Sequence, residues 1–254
     1  MLNEAISWAT PYAVDQKFFQ VEAGDLTLAI HKLRFEWQLH YSWSQQDHHE
    51  AFSCRFLDSH PEKFDHFDRI AMESSCSELL LMPTLADRPV VVRSYAPLII
   101  PRKSRITLYV STPLWIGIHI ENHVQKEFPV QQLSETWMGL LTGEGELCYG
   151  SHTHARLDKT LLLNLPYRAL TPVTIKNKCK ENLKLERLSI PAAYLSLFEG
   201  ETQLHTEPLT IVMEPESQRG VVQIGKVDGQ KALALPREKA ERGILESTWE
   251  NLFA

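Results

Sequence analysis

His152 and His154 stand two residues apart in Tyr149-Gly-Ser-His-Thr-His-Ala-Arg-Leu-Asp158. On an extended chain such residues share a face, so both imidazoles can reach one divalent metal ion. If the strand runs unbroken from Leu147, Cys148 lies on that face too and completes a three-ligand set. The other reading is a pair of hydrated histidines at a loop tip after Gly150-Ser151. A second constellation is Trp115, His119 and Glu121, opposite the aliphatic row of the central stretch, where an aromatic, an imidazole and a carboxylate could bind a sugar or other small ligand. That face could equally be packed under another layer. Asp47, His48, His49, His60, Asp65, His66 and Asp68 form a His/Asp-rich segment whose types suit a metal, although adjacent histidines on extended chain point apart. Thr174, Lys176, Lys178 and Lys180, with Lys184 and Arg187 nearby, read either as an anion or lipid-headgroup patch or as a lysine-protected strand edge.

The elements that position these groups are strands. In Pro89–Glu121, Ile106, Leu108 and Val110 alternate with Thr107, Tyr109 and Ser111, and Leu114, Ile116, Ile118 and Ile120 continue the phase. A period of two rich in β-branched and aromatic residues is the mark of a half-buried strand. Pro101-Arg-Lys-Ser104 supplies a turn, so a central hairpin is expected. Leu26, Leu28 and Ile30, then Leu33 through Trp43 in the opposite phase, predict a long strand with a bulge or a sharp bend near His31-Lys32. Thr136–Thr142 and Gly145–Gly150 flank a Gly-Glu-Gly turn and predict a second hairpin. A further bulge is expected near Glu186-Arg187. Leu245, Trp249, Leu252 and Phe253 fall at i, i+4, i+7 and i+8, the spacing of an amphipathic helix over 236–254.

The net charge of −6 and pI near 6.0 argue against a nucleic-acid partner held by phosphate neutralisation. Four scattered cysteines make no disulfide framework. No basic segment followed by an apolar core opens the chain, and no apolar run is long enough to span a bilayer. A soluble cytoplasmic protein is the expectation. Nucleophile elbows and phosphate loops are absent.

Three pieces together resemble a known family: LLLMPTLADRPVVVRSYAPLIIPRKSRITLYVSTPLWIGI, then GELCYG with its ARLD continuation, then TPVTIKNKCKENLKLERLSIP. The chain is similar, over roughly Ser77 to Met213, to an uncharacterised prokaryotic family known mainly as a domain of unknown function in archaea and some bacteria. The resemblance implies a β-rich soluble protein with no catalytic residues to carry over. Bacterial members similar to it are encoded beside small-conductance mechanosensitive channels, which implies a membrane-associated partner.

The expectations are therefore an all-β protein of antiparallel β-sandwich layers, one or two sandwiches, closed by a C-terminal helix. Domains are expected at 1–150 and 151–235, with the helix at 236–254. The expected function is a non-enzymatic interaction or ligand-binding module with a protein partner, accessory to a membrane protein such as a mechanosensitive channel. The alternative is a metal-dependent, cupin-like small β-barrel enzyme using His152, His154 and Cys148, although the further Glu and His of cupins cannot be matched.

Overall fold

The structure, a computed structural model, describes residues 4–44, 52–61, 63–72, 76–139, 145–214 and 219–248. In chain order its first strands are Glu4–Ala5 (β1), Pro11–Ala13 (β2), Phe18–Ala23 (β3), Leu26–Leu33 (β4), Glu36–Trp43 (β5), Phe52–Leu57 (β6) and His66–Ala71 (β7). There follow Glu78–Thr84 (β8), Val90–Ile100 (β9), Ser104–Pro113 (β10), Trp115–Ile120 (β11), His123–Pro129 (β12), Ser134–Gly139 (β13) and Gly145–Ala155 (β14). The last are Arg168–Asn177 (β15), Leu183–Ile190 (β16), Leu204–His205 (β17), Leu209–Met213 (β18), Arg219–Ile224 (β19) and Ile244–Thr248 (β20). Helical structure among the described residues is limited to single 3-10 turns, such as Lys159–Leu161. The protein is all-β; most strand pairs are antiparallel, while β14 with β9 and β15 with both β17 and β18 are parallel. No helix among the described residues is long and apolar enough to cross a membrane.

The chain forms two compact units that are not consecutive stretches: residues 1–84 with 113–132, and residues 85–112 with 133–254. Residue 150, where the sequence suggested a boundary, lies inside β14 of the second unit.

In the first unit, one sheet runs β1-β6-β3-β4-β5-β7 and the other β12-β11-β8-β2. Leu26, Leu28, Ile30, Trp37 and Leu39 are buried on the first; Leu79, Leu81, Ile116, Ile118 and Ile120 are buried on the second. Each such side chain taken from water contributes roughly 1.5–3 kcal/mol. The sheets meet through Tyr12 on Phe19 (ring centroids 4.7 Å) and Tyr41 on Phe128 (4.8 Å). The Trp43 indole N–H donates to the Pro129 carbonyl at 2.8 Å. What the sequence presented as a bulged or bent strand is a hairpin: β4 and β5 pair from Leu26↔Trp43 to Leu33↔Glu36. Lys32 Nζ donates to the Leu33 carbonyl at 2.7 Å, satisfying a turn acceptor that a phase count does not register.

In the second unit, one sheet runs β13-β14-β9-β16 and the other β10-β15-β18-β19-β20, with β17 also on β15. β13 and β14 pair as the expected hairpin. The central hairpin does not form. β9 pairs with β14 and β16, whereas β10 lies beside β15, so the Pro101–Lys103 turn is a corner between two sheets. Asn177, 1% exposed, holds that corner. Its amide donates to the carbonyls of Ile100 (3.0 Å), Pro101 (3.2 Å) and Glu181 (3.0 Å), and its Oδ1 accepts from the Cys179 N–H at 3.0 Å.

The C-terminal helix is corrected as well. Ile244–Thr248 pairs antiparallel with β19 from Gln223↔Ile244 to Arg219↔Thr248. Arg242 (φ 52°) and Gly243 (φ 68°) turn the chain out of helical geometry just before it. The backbone of β19 then supplies partners that an isolated short helix would lack. Trp249, Leu252 and Phe253 lie outside the described residues.

Candidate functional site

Thr153 fixes the fate of the histidine pair. Its Oγ1 donates to the Ser111 carbonyl at 2.8 Å and accepts from the guanidinium of buried Arg168 at 3.0 Å. With Thr153 pinned inward, His152 and His154 on either side are exposed. Cys148 is instead sealed among Val91 and Met138, where burial pushes its thiol up to about 12. The pairing of β14 with β9 breaks register between Gly150 and His154, so the strand is not the unbroken one that a shared face requires. Cys148 and the two histidines are not brought together. Among the described residues no group of three or more His, Cys, Asp or Glu side chains could hold a metal ion.

Trp115 and His119 do share a face of β11, both half-buried, and Glu121 does not. Glu121 and Asn122 form the β11–β12 turn at φ 52° and 64°. The His119 ring lies along Gly117, where an added Cβ would be 3.1 Å from Nε2, and that nitrogen has no hydrogen-bond partner among the described residues. Desolvation lowers the His119 pKa, with Glu127 opposing.

The His/Asp-rich segment is dispersed over several neighbours. Asp47, His48 and His49 lie outside the described residues. Asp68 pairs with Lys126, which also donates to the Tyr41 hydroxyl at 2.9 Å, and His66 stacks on Tyr41. His60 joins a cluster on the first unit. It meets His40 edge-on at 4.5 Å and Phe18 at 5.0 Å, while Phe18 stacks on His31 at 4.3 Å and Phe67 lies against His40 at 4.6 Å. Desolvation first, then the nearby imidazoles, lowers the pKa of His40; His31 is lowered by desolvation, with Gln38 opposing. Half of the lysines of 176–184 are paired with glutamates. Lys178 pairs with Glu214 at 3.2 Å, Lys184 pairs with Glu186, and Thr174 is bonded to Thr107 at 3.0 Å.

An open concavity lies in the second unit, on residues outside the candidate sets named from the sequence. Between Arg93, opposite Arg187, and Leu98, opposite Leu185, β9 inserts Ser94–Pro97 against the single Glu186 of β16. The bulge expected near Glu186-Arg187 is thus present, with the extra residues on the partner strand. Pro97 has no N–H to lose from the ladder, so the bulge is cheap there. It forms one wall of a cavity of about 230 Å³, with Leu108 and Ala155 at its base and Leu157 and Leu161 opposite. Asp158 shapes that far wall by accepting from the Thr160 N–H at 2.9 Å, which holds its carboxyl low and starts the 3-10 turn.

Arg156 stands at the mouth. Its backbone is clamped to Tyr109 by a pair of hydrogen bonds (2.7 and 3.0 Å), and its guanidinium lies 3.9 Å over the Tyr95 ring. No carboxylate among the described residues is within ion-pair distance of it, although Asp158 is two residues away. His154 meets the other side of the motif, edge-on to Tyr95 at 6.0 Å. His154, Arg93 and Arg187 are cross-strand neighbours in one row of the sheet. Of the cavity's lining, Tyr95 (68% exposed), Leu157 (56%) and Leu161 (64%) are open to solvent, as are Ile99 (62%) farther along β9 and Leu163 (61%) two residues after Leu161. Two sequence signals could have pointed here: a proline inside an otherwise regular strand, and five leucines within Leu157–Leu165 that fit no alternation.

No curated protein and no solved structure matches the chain. A family description does, over residues 8–253. With nearly its whole length covered, the chain belongs to the family described as Protein of unknown function (DUF432).

Proposed function

We propose that the protein is a non-enzymatic β-sandwich interaction module whose second unit rests on an anionic membrane surface. One observation carries this reading: Tyr95, Leu157 and Leu161 stand in solvent where they line the concavity at the β9 bulge, with Arg156 among them and the Arg93–Arg187 pair at the end of the bulge. Exposed apolar groups of this size mark interaction surfaces. A basic border selects an anionic headgroup layer, at about 1 kcal/mol for each cation near the surface. The lysines of 176–184, half of them paired with glutamates, are secondary to this arginine row. A channel subunit of the kind the resemblance implies would meet the module at that same surface.

Cosedimentation with vesicles tests it. Vesicles of phosphatidylcholine containing about a third phosphatidylglycerol should retain the protein at low salt and release most of it when ionic strength shortens the screening length to about 3 Å at 1 M. Pure phosphatidylcholine should retain little. Leu161→Asp with Leu163→Asp, two exposed positions, should abolish retention with the fold intact. Equal retention on neutral vesicles, or by the double variant, would sink the reading.

A further inference from the structure

The cavity beneath that surface has a chemistry of its own. It is lined by Tyr95, Pro97, Leu98, Leu108, Leu157 and Leu161, with the guanidinium of Arg156 at its rim. Its volume of about 230 Å³ exceeds the ~150 Å³ apolar cavity that admits benzene. A guanidinium keeps its charge at any ordinary pH and offers a planar fork of donors matched to a carboxylate or phosphate. In this protein that fork is unclaimed by any described carboxylate. Asp158, the nearest in sequence, is engaged by the Thr160 N–H and hydroxyl (2.9 and 2.8 Å). Tyr95 holds the guanidinium flat from one side, which leaves its edge for a ligand.

We infer that this cavity is a binding site for a small amphipathic anion, an apolar chain entering between the β9 bulge and Leu161 while its anionic end is bound by Arg156. The apolar walls set the tail and the lone cation sets the head. The leucine and proline walls favour an apolar tail, because a polar group set against them would go unpaired. Two sources share this chemistry, a free fatty acid and a lipid with an anionic headgroup. The inference needs no membrane contact, so it stands or falls apart from the docking surface.

Titration calorimetry on the full chain, at pH 7.5 and below any micelle-forming concentration, decides it. Decanoate and a soluble short-chain phosphatidylglycerol are the anionic probes; decanol and decyltrimethylammonium are the neutral and cationic controls. At least one anionic probe should bind ten-fold or more tightly than both controls, and the tighter of the two names the source. Arg156→Gln should weaken that probe about ten-fold while leaving decanol unchanged, a split that mere loss of structure would not give. Leu161→Glu should weaken every probe. The site is overturned if all four probes bind alike, if none binds, or if Arg156→Gln leaves the preference intact. Vesicle retention with no binding of soluble probes would leave the docking surface standing and remove the cavity; the reverse would do the opposite.

Discussion

The His31–His40–His60 cluster of the first unit and the Arg156–Tyr95 cavity of the second are built from similar parts and end in opposite states. Both set cation-forming side chains against aromatic rings on the outward side of a sheet. In the first, Phe18, Phe64 and Phe67 pack against the imidazoles, which have one another as neighbours, and desolvation holds His31 and His40 toward the neutral form. The ring faces of that cluster are taken up by its own side chains. In the second, a permanently charged group lies on a ring, beside an apolar cavity and without a described carboxylate in ion-pair reach. Aromatic and cationic residues in company therefore say little. What separates a packing cluster from a site is whether charge and cavity are already answered within the chain.

The largest expected effect would break the second region while sparing the first. Asn177→Ala strips the corner beneath β9 of a buried amide and leaves several backbone groups without their partner, at about 3 kcal/mol by the usual cost of orphaned polar groups. Hydrogen exchange should show faster opening of β9 and β16 amides, with β4 and β5 little changed. Uniform acceleration across both units would show that they do not open independently.

Acid should act on the first region instead. His31 and His40 have folded pKa values below the unfolded value near 6.5. The unfolded chain therefore binds more protons as pH falls, and stability is full above about pH 6.5 and declines as pH drops from there through the lowered folded values. Unfolding midpoints between pH 7.5 and 5 should show this decline, and His40→Phe should flatten it.

The smallest effect would make the closed cluster resemble the open one. Phe67 is half exposed and covers His40 at 4.6 Å. Phe67→Ala should cost roughly 0.5–1.5 kcal/mol at neutral pH, and by hydrating His40 it should also shrink the acid sensitivity. A steeper dependence on pH in that variant would mean that Phe67 does not maintain the desolvation.

Legibility followed the range of the forces involved. Alternation within β11 and the β13–β14 pairing could be read directly, because each depends on neighbours a few residues away. The Pro101–Ser104 turn has the same local chemistry whether it closes a hairpin or rounds a corner, and Asn177, some 76 residues later, decides which. Leu245 fits a helical spacing, but the open backbone of β19 and the left-handed pair Arg242–Gly243 make it strand. The candidate cavity was harder still. It arises where β9 outgrows β16 by several residues, and no single segment carries that mismatch.

The interleaving of the two units has a consequence for synthesis. The chain leaves the first unit after Thr84 and returns at Pro113, so β8 emerges from the ribosome without β11, its partner on one side. The first unit is complete only once residue 132 has been made, 132 − 84 = 48 residues later. At ~5–20 residues per second that interval is roughly 2–10 s. Until β11 has emerged at Ile120, within that interval, Leu79 and Leu81 wait with one side of their strand unpaired, a window in which a chaperone, or a second nascent chain, would find a ready edge.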